Sequence, residues 1–95
     1  MTVSLRLANL KKMHDAKVSD VVRLAKDANT PTRQKQVIYG CLNNMCQLSA
    51  ILYGEISAEP GNYDLLEKAA KLDDELVQLR SYVGSHISLR VHTAA

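Results

Sequence analysis

The sequence predicts an all-α protein: an antiparallel helical hairpin over residues 4–53, a third amphipathic helix over 63–83, and a short tail over 84–95. Three observations carry this. Apolar residues recur at three- and four-residue steps along most of the chain, the helical period. Apart from Gly40, the glycines and prolines fall between those stretches. The length of 95 residues has room for one domain, 1–95, and its 46% hydrophobic content is too high for a disordered chain. With no Trp or Phe, the core must be Leu, Val, Ile, Ala and Met. So small an aliphatic core points to assembly as a homo-oligomer.

The first helix, 4–28, rests on Leu7, Leu10, Met13, His14, Val18, Val21, Ala25 and Ala28. Its start competes with a strand, because Val3-Ser4-Leu5-Arg6-Leu7 alternates apolar and polar residues. Asn29-Thr30-Pro31-Thr32 ends it. Proline suits the first position of a helix, so Thr30 is the expected N-cap, with Thr32 as the competing cap. The second helix, 31–53, carries a broad apolar face of Val37, Ile38, Cys41, Leu42, Met45, Leu48, Ile51 and Leu52. Gly40 interrupts it at a cost of about 1 kcal/mol relative to Ala, which predicts close approach of a neighbouring backbone. Gly54 is expected as a left-handed cap. The short link between the two helices predicts a hairpin.

Pro60-Gly61 marks a turn, and Asn62 is placed to cap the third helix with Asp64 and Glu67 in its first turn. Leu65, Ala69, Leu72, Leu76, Leu79 and Val83 step 4-3-4-3-4 along that helix. Such a seam packs either on the hairpin of its own chain or on a second copy. Gly84-Ser85 is expected to end it. The tail then alternates as the N-terminus does: Ile87-Ser88-Leu89-Arg90-Val91 matches the pattern of Val3 to Leu7. Short β-like termini pairing as a ribbon are one outcome, and a frayed tail is the other.

Composition excludes several classes. No apolar run approaches the ~20 residues of a membrane span, and the N-terminus lacks a signal-peptide pattern, so a cytoplasmic protein is expected. Cys41 and Cys46 lie about 140° apart around a helix and cannot bridge, so both are expected as buried thiols. His14, His86 and His92 have no metal-ligand spacing, and no Gly-rich phosphate loop or nucleophile motif occurs. The expectation is therefore a protein with no enzymatic activity, no cofactor and no metal. Asp73-Asp74-Glu75 is expected as a solvated acidic face or an inter-subunit partner. Tyr39 and Tyr53 share one face of the second helix, as packing residues or as a base-stacking platform, and Tyr63 and Tyr82 are expected to pack.

The net charge of +2 conceals a division. Residues 1–54 carry eight Lys and Arg against three Asp, whereas residues 55–95 carry four against seven acidic residues. The halves either neutralise each other or leave the hairpin facing an anion. The basic residues concentrate at the hairpin tip, where Arg23 and Lys26 close the first helix and Arg33 and Lys35 open the second. Thr30 and Thr32 lie between them. A helix start adds free amides and a positive dipole end, so this tip is the candidate site for a phosphate-bearing ligand. Arg33 would clamp two oxygens, Lys35, Lys26 and Arg23 would add charge, and Thr30 or Thr32 would hydrogen-bond.

Thr32-Arg33-Gln34-Lys35-Gln36-Val37, with Leu42 further on, resembles part of a pattern in small phage helical-hairpin proteins. Those have a Ser-Arg-Glu-Lys-like turn opening the second helix, and members sequester cyclic-nucleotide or cyclic ADP-ribose immune signals as oligomeric sponges. The resemblance spans roughly residues 29–52 and implies anti-defence capture of a nucleotide, with Arg33 and Lys35 as ligand contacts. Gln34 replaces the Glu of that turn, the tryptophan-containing face is absent, and the third helix is extra. Thr2-Val3-Ser4-Leu5-Arg6-Leu7 is similar to the opening strand of ribbon-helix-helix DNA-binding proteins. That similarity implies base reading by Thr2, Ser4 and Arg6, although the first helix is too long and the third has no counterpart. A nucleic-acid-binding regulator and a protein adaptor or inhibitor acting through the third helix are thus the alternatives to anion capture.

Overall fold

The computed structural model describes the backbone of residues 2–94 and the side chains of residues 2–87. Three helices follow in order: α1 (Val3–Lys26), α2 (Thr32–Ser57) and α3 (Tyr63–Ala94). They pack side by side in an elongated body of 50 × 24 × 18 Å. Arg6, in the first turns of α1, bonds to Glu55 near the end of α2.

The N-terminal ambiguity resolves as helix. The Thr2 hydroxyl accepts from the Leu5 amide at 3.1 Å, capping α1. Val3, Leu7, Leu10 and His14 then fall at helical spacing, and all face the interior. A five-residue alternation cannot match that burial, because a strand there would turn half of these residues outward. No strand occurs among the described residues, so the β-like ribbon is not formed at Val3–Leu7.

The seam of α3 packs within the chain. Leu76 and Val83 are 0% exposed, and Leu72 and Leu79 are nearly as deep. Leu72 and Leu76 join Leu7 and Leu10 of α1 and Leu52 and Ile56 of α2 in one cluster. Leu79 and Val83 join Ala25 and Leu42 in a second. Polar side chains tie the same pairs of helices. Ser49 Oγ donates to Asp73 at 3.0 Å, and Arg80 donates to Asn43 at 2.9 Å, both between α2 and α3. Asp73 and Glu75 are therefore partners inside the chain, and only Asp74 of that acidic run is fully solvated.

Both expected glycine stops are overrun. The second helix continues through Gly54 to Ser57, because Ile56 is buried against the core. Burying an Ile side chain is worth ~1.5–3 kcal/mol, more than the ~1 kcal/mol a helical glycine costs. The left-handed glycine is instead Gly61, with φ of 93°. The third helix continues through Gly84 and Ser85, and Ile87 packs on the second cluster. A Cβ at Gly84 would lie 3.0 Å from Cε2 of Tyr39, so this glycine makes room for the ring. Gly40, where a neighbour was expected, has no atom within 4 Å of a Cβ position. The alternation beyond Ile87 falls on side chains outside the described residues, although its backbone is helical through Ala94.

Other expectations need correction. Thr30 is not the N-cap of α2, nor is Thr32. Pro31 takes that position with extended backbone (φ −59°, ψ 144°), and its carbonyl accepts from the Lys35 amide. Thr30 lies one residue too early and spends its own amide on the Asp27 carbonyl. Cys41 is exposed and Cys46 buried, since they face different sides of α2. Tyr63 is exposed at the start of α3, Met13 is exposed on α1, and Tyr82 meets His86 edge-on with ring centroids 4.8 Å apart.

Two substitutions test this arrangement by urea unfolding. Leu76→Ala should lower stability by about 2–5 kcal/mol, the cost of a cavity in a close-packed core. Gly54→Ala should raise it by about 0.5–1 kcal/mol, as expected inside an open helix and opposite to the effect at a left-handed cap.

Candidate functional site

The tip between α1 and α2 is built by three features. The first helix ends with Arg23 and Lys26 in its last turn, where cations suit the dipole. Asp27 accepts from the Asn29 amide at 2.9 Å, folding the link into a tight turn. The second helix then begins on Pro31, whose side chain offers no capping bond. Its first turn holds no acidic residue either, so the positive end of the helix dipole is left uncompensated there.

The six expected ligand residues divide at this tip. Arg23, Lys26 and Arg33 are exposed. Arg23 pairs with Asp20 at 3.4 Å, whereas Lys26 and Arg33 form no ion pair among the described residues. Thr32 is half-buried at the first position of α2. Thr30 and Lys35 are withdrawn, with relative exposures of 6% and 4%. Lys35 faces inward because it shares the face of Leu42, Cys46 and Ser49 at helical spacing. A buried lysine of this kind lays its aliphatic stem along the packing and acts less as a ligand contact than as a spacer. One turn along α2 from Arg33, a groove of about 490 Å³ opens between α2 and α3, lined by Gln36, Tyr39, Ser81, Gly84, Ser85 and Ile87.

A second polar cluster was hidden in the sequence. Lys11 Nζ lies 3.0 Å from Asp15 and 3.3 Å from Glu75. The buried His14 ring lies 3.0 Å from Asp15 and 3.6 Å from Glu75 through Nδ1. A carboxylate can only accept, so Nδ1 carries the proton and donates to Asp15. His14, Asp15 and Glu75 are a donor set that could hold a divalent ion, with their ligand atoms within 4.8 Å of one another. The ammonium of Lys11 already lies against both carboxylates as the resident cation. The hydrogen bond from His14, then that from Lys11, holds the Asp15 carboxyl below its usual range. The bond to Asp15 raises Lys11 above its ordinary value, and burial pushes the Cys46 thiol up. The sequence signals for this cluster were the i,i+4 pair Lys11 and Asp15 and a histidine on the apolar face of α1. Its partner Glu75 lies 61 positions away, beyond the reach of spacing rules.

Beside this cluster, a groove of about 410 Å³ runs between α1 and α3 over Leu7, Leu65 and Leu72. Its rim carries Lys11, Lys68 and Lys71, but Glu75 shares that rim, and Asp64 and Glu67 line the adjoining surface. Charge there is balanced, unlike the tip.

Comparison with protein-family models, curated proteins and solved structures found no match. No helix among the described residues is long and apolar enough to cross a membrane.

The Asp15 cluster gives a pH dependence with a defined sign. A carboxyl lowered in the folded chain contributes stability above its unfolded value, and this is lost as pH falls through the folded one. Urea midpoints measured from about pH 5 down to about pH 2 should therefore fall less steeply in Asp15→Asn than in the unsubstituted chain.

Proposed function

We propose that the protein acts by binding rather than catalysis, as a homo-oligomer that captures a phosphate-bearing small molecule at the α1–α2 tip. A cyclic nucleotide is the specific ligand class, as in the phage sponges that residues 29–52 resemble. One observation carries this: α2 starts without a side-chain cap, beside two exposed cations, Lys26 and Arg33, that no carboxylate of the same protomer pairs with among the described residues. Backbone amides and a guanidinium fork converging on one space match the oxygens of a phosphate group. Arg33 clamps, Lys26 and Arg23 add charge, and the Gln36–Tyr39 groove receives the remainder of the ligand. Thr32 adds a hydroxyl, while Lys35 contributes through packing.

The alternatives have less behind them. An adaptor surface on α3 would need the Leu65–Val83 seam, which lies inside the protomer. Base reading by Thr2, Ser4 and Arg6 would need a strand where α1 is helical.

A thermal-shift panel of inorganic phosphate, cyclic mononucleotides and cyclic dinucleotides tests the proposal. Ligand at about 100 times Kd stabilises by ~2.7 kcal/mol, which raises Tm by roughly 10 °C or more in a domain of this size. That shift should vanish in Arg33→Ala. No shift with any member, or a shift that survives in Arg33→Ala, would sink it.

A further inference from the structure

The outward side of α2 carries exposed apolar residues and no charge between Lys35 and Glu55. At 100° per residue, Val37, Gly40, Asn44, Leu48 and Ile51 fall within a sector of about 80°, opposite the buried Leu42, Cys46 and Ser49. Val37 is 60% exposed, Leu48 50% and Ile51 54%. Single exposed apolar residues are ordinary on a protein surface. Here Leu48 and Ile51 adjoin, Val37 shares their sector about 16 Å along the helix, and no charged residue occurs between Lys35 and Glu55. Arg33 and Glu55 close the row at its two ends, in the same sector.

Gly40 is the second observation. It sits mid-helix in this row, where glycine costs about 1 kcal/mol relative to Ala. No atom of a neighbouring element lies within 4 Å of a Cβ position there, as at Gly54, so the surface beside it is open. At Gly84, by contrast, the Tyr39 ring takes up the space.

We infer that two copies of the chain pair through this row, α2 against α2, antiparallel about a twofold axis at Asn44. The register follows from the numbering. Arg33 and Glu55 are equidistant from Asn44, as are Val37 and Ile51, and as are Gly40 and Leu48. A twofold axis there sets Arg33 of one copy opposite Glu55 of the other, and Val37 opposite Ile51. It also brings Leu48 of each copy to the level of Gly40 of the other, where the helix surfaces are low. A parallel pairing would instead oppose Arg33 to Arg33 and Glu55 to Glu55, so charge selects the antiparallel one. The Glu55 carboxylate bonds to Arg6 at 2.9 Å in its own chain but stays 42% exposed, leaving lone pairs for a second guanidinium. Met13 of α1 borders Leu48 across a shallow groove and widens the contact. The pairing is isologous, the usual form of a homodimer. It rests on the oligomeric part of the proposed function; Arg33, with five N–H donors, meets Glu55 of the other copy along one edge and keeps the other edge for an anion.

Sedimentation equilibrium without nucleotide tests it. The unsubstituted chain should show twice its 10.5 kDa mass. Val37→Glu and Ile51→Lys should each weaken the dimer by at least about tenfold, the effect of ~1.4 kcal/mol. Combined in one chain, they should restore it, because the new charges face each other only in the antiparallel register. Circular dichroism should be unchanged in all three, as both positions are exposed. A cross-link provides an independent readout: Asn44→Cys in a Cys41→Ser background should oxidise to a symmetric disulfide dimer. A monomer at every concentration, a dimer indifferent to Val37→Glu, a combined variant that stays monomeric, or no cross-link through position 44 would overturn the inference. A dimer with no nucleotide shift would overturn the anion site alone, and a nucleotide shift in a monomer would overturn the pairing alone.

Discussion

Burial of the α3 seam against both other helices is the constraint on which the rest of the structure depends. Ala69, Leu72, Leu76, Leu79 and Val83 lie along one line of α3 and reach two clusters, one toward each end of the bundle. Neither α1 nor α2 could hide its apolar residues on the other alone, since two helices offer each other only one narrow contact. With α3 in place, Leu7, Leu10, Leu42, Leu52 and Ile56 are covered, and helix ends that would otherwise fray extend past Gly54 and Gly84. The same choice consumes the one heptad-like surface the chain has. Any contact with a second copy must therefore use what α3 leaves outside, and the outer row of α2 is an uncharged part of that remainder.

Charge is arranged around this packing. The basic first half and the acidic second half meet within the chain, through Arg6 with Glu55 and Lys11 with Glu75. Each such pair is partly exposed and worth little in stability, on the order of 0–1 kcal/mol. Their consequence is where they leave charge over. Along the sides of the bundle, cations and carboxylates alternate, as around Lys68 and Lys71. At the α1–α2 tip, Lys26 and Arg33 have no ion pair within the protomer among the described residues, beside a helix start without a side-chain cap. The functional proposal follows from this residue of positive charge, not from the net charge of the chain.

The helical elements were legible in the sequence because their apolar spacing is long and regular, most clearly in α3. Boundaries were less so. Glycine signals a stop only where no burial follows it, and Ile56 and Ile87 both lie beyond their glycines. The alternation at Val3–Leu7 was too short to outweigh a capped helix with Leu7 and Leu10 directed inward. At the tip, spacing identified the basic residues but not their orientation. Lys35 and Arg33 are two positions apart, and on a helix that turns one in and the other out. The His14–Asp15–Glu75 cluster was illegible because it joins distant segments through tertiary packing.

The α3 seam packs on its own chain and leaves the α2 row and the basic tip exposed. Isotope-filtered NOE spectra of a mixture refolded from equal parts labelled and unlabelled protein address it directly. Contacts from the Leu72 and Leu76 methyls to those of Leu10 and Leu52 should arise wholly within single chains. Finding them between labelled and unlabelled chains would show α3 exchanged between copies and would contradict the account.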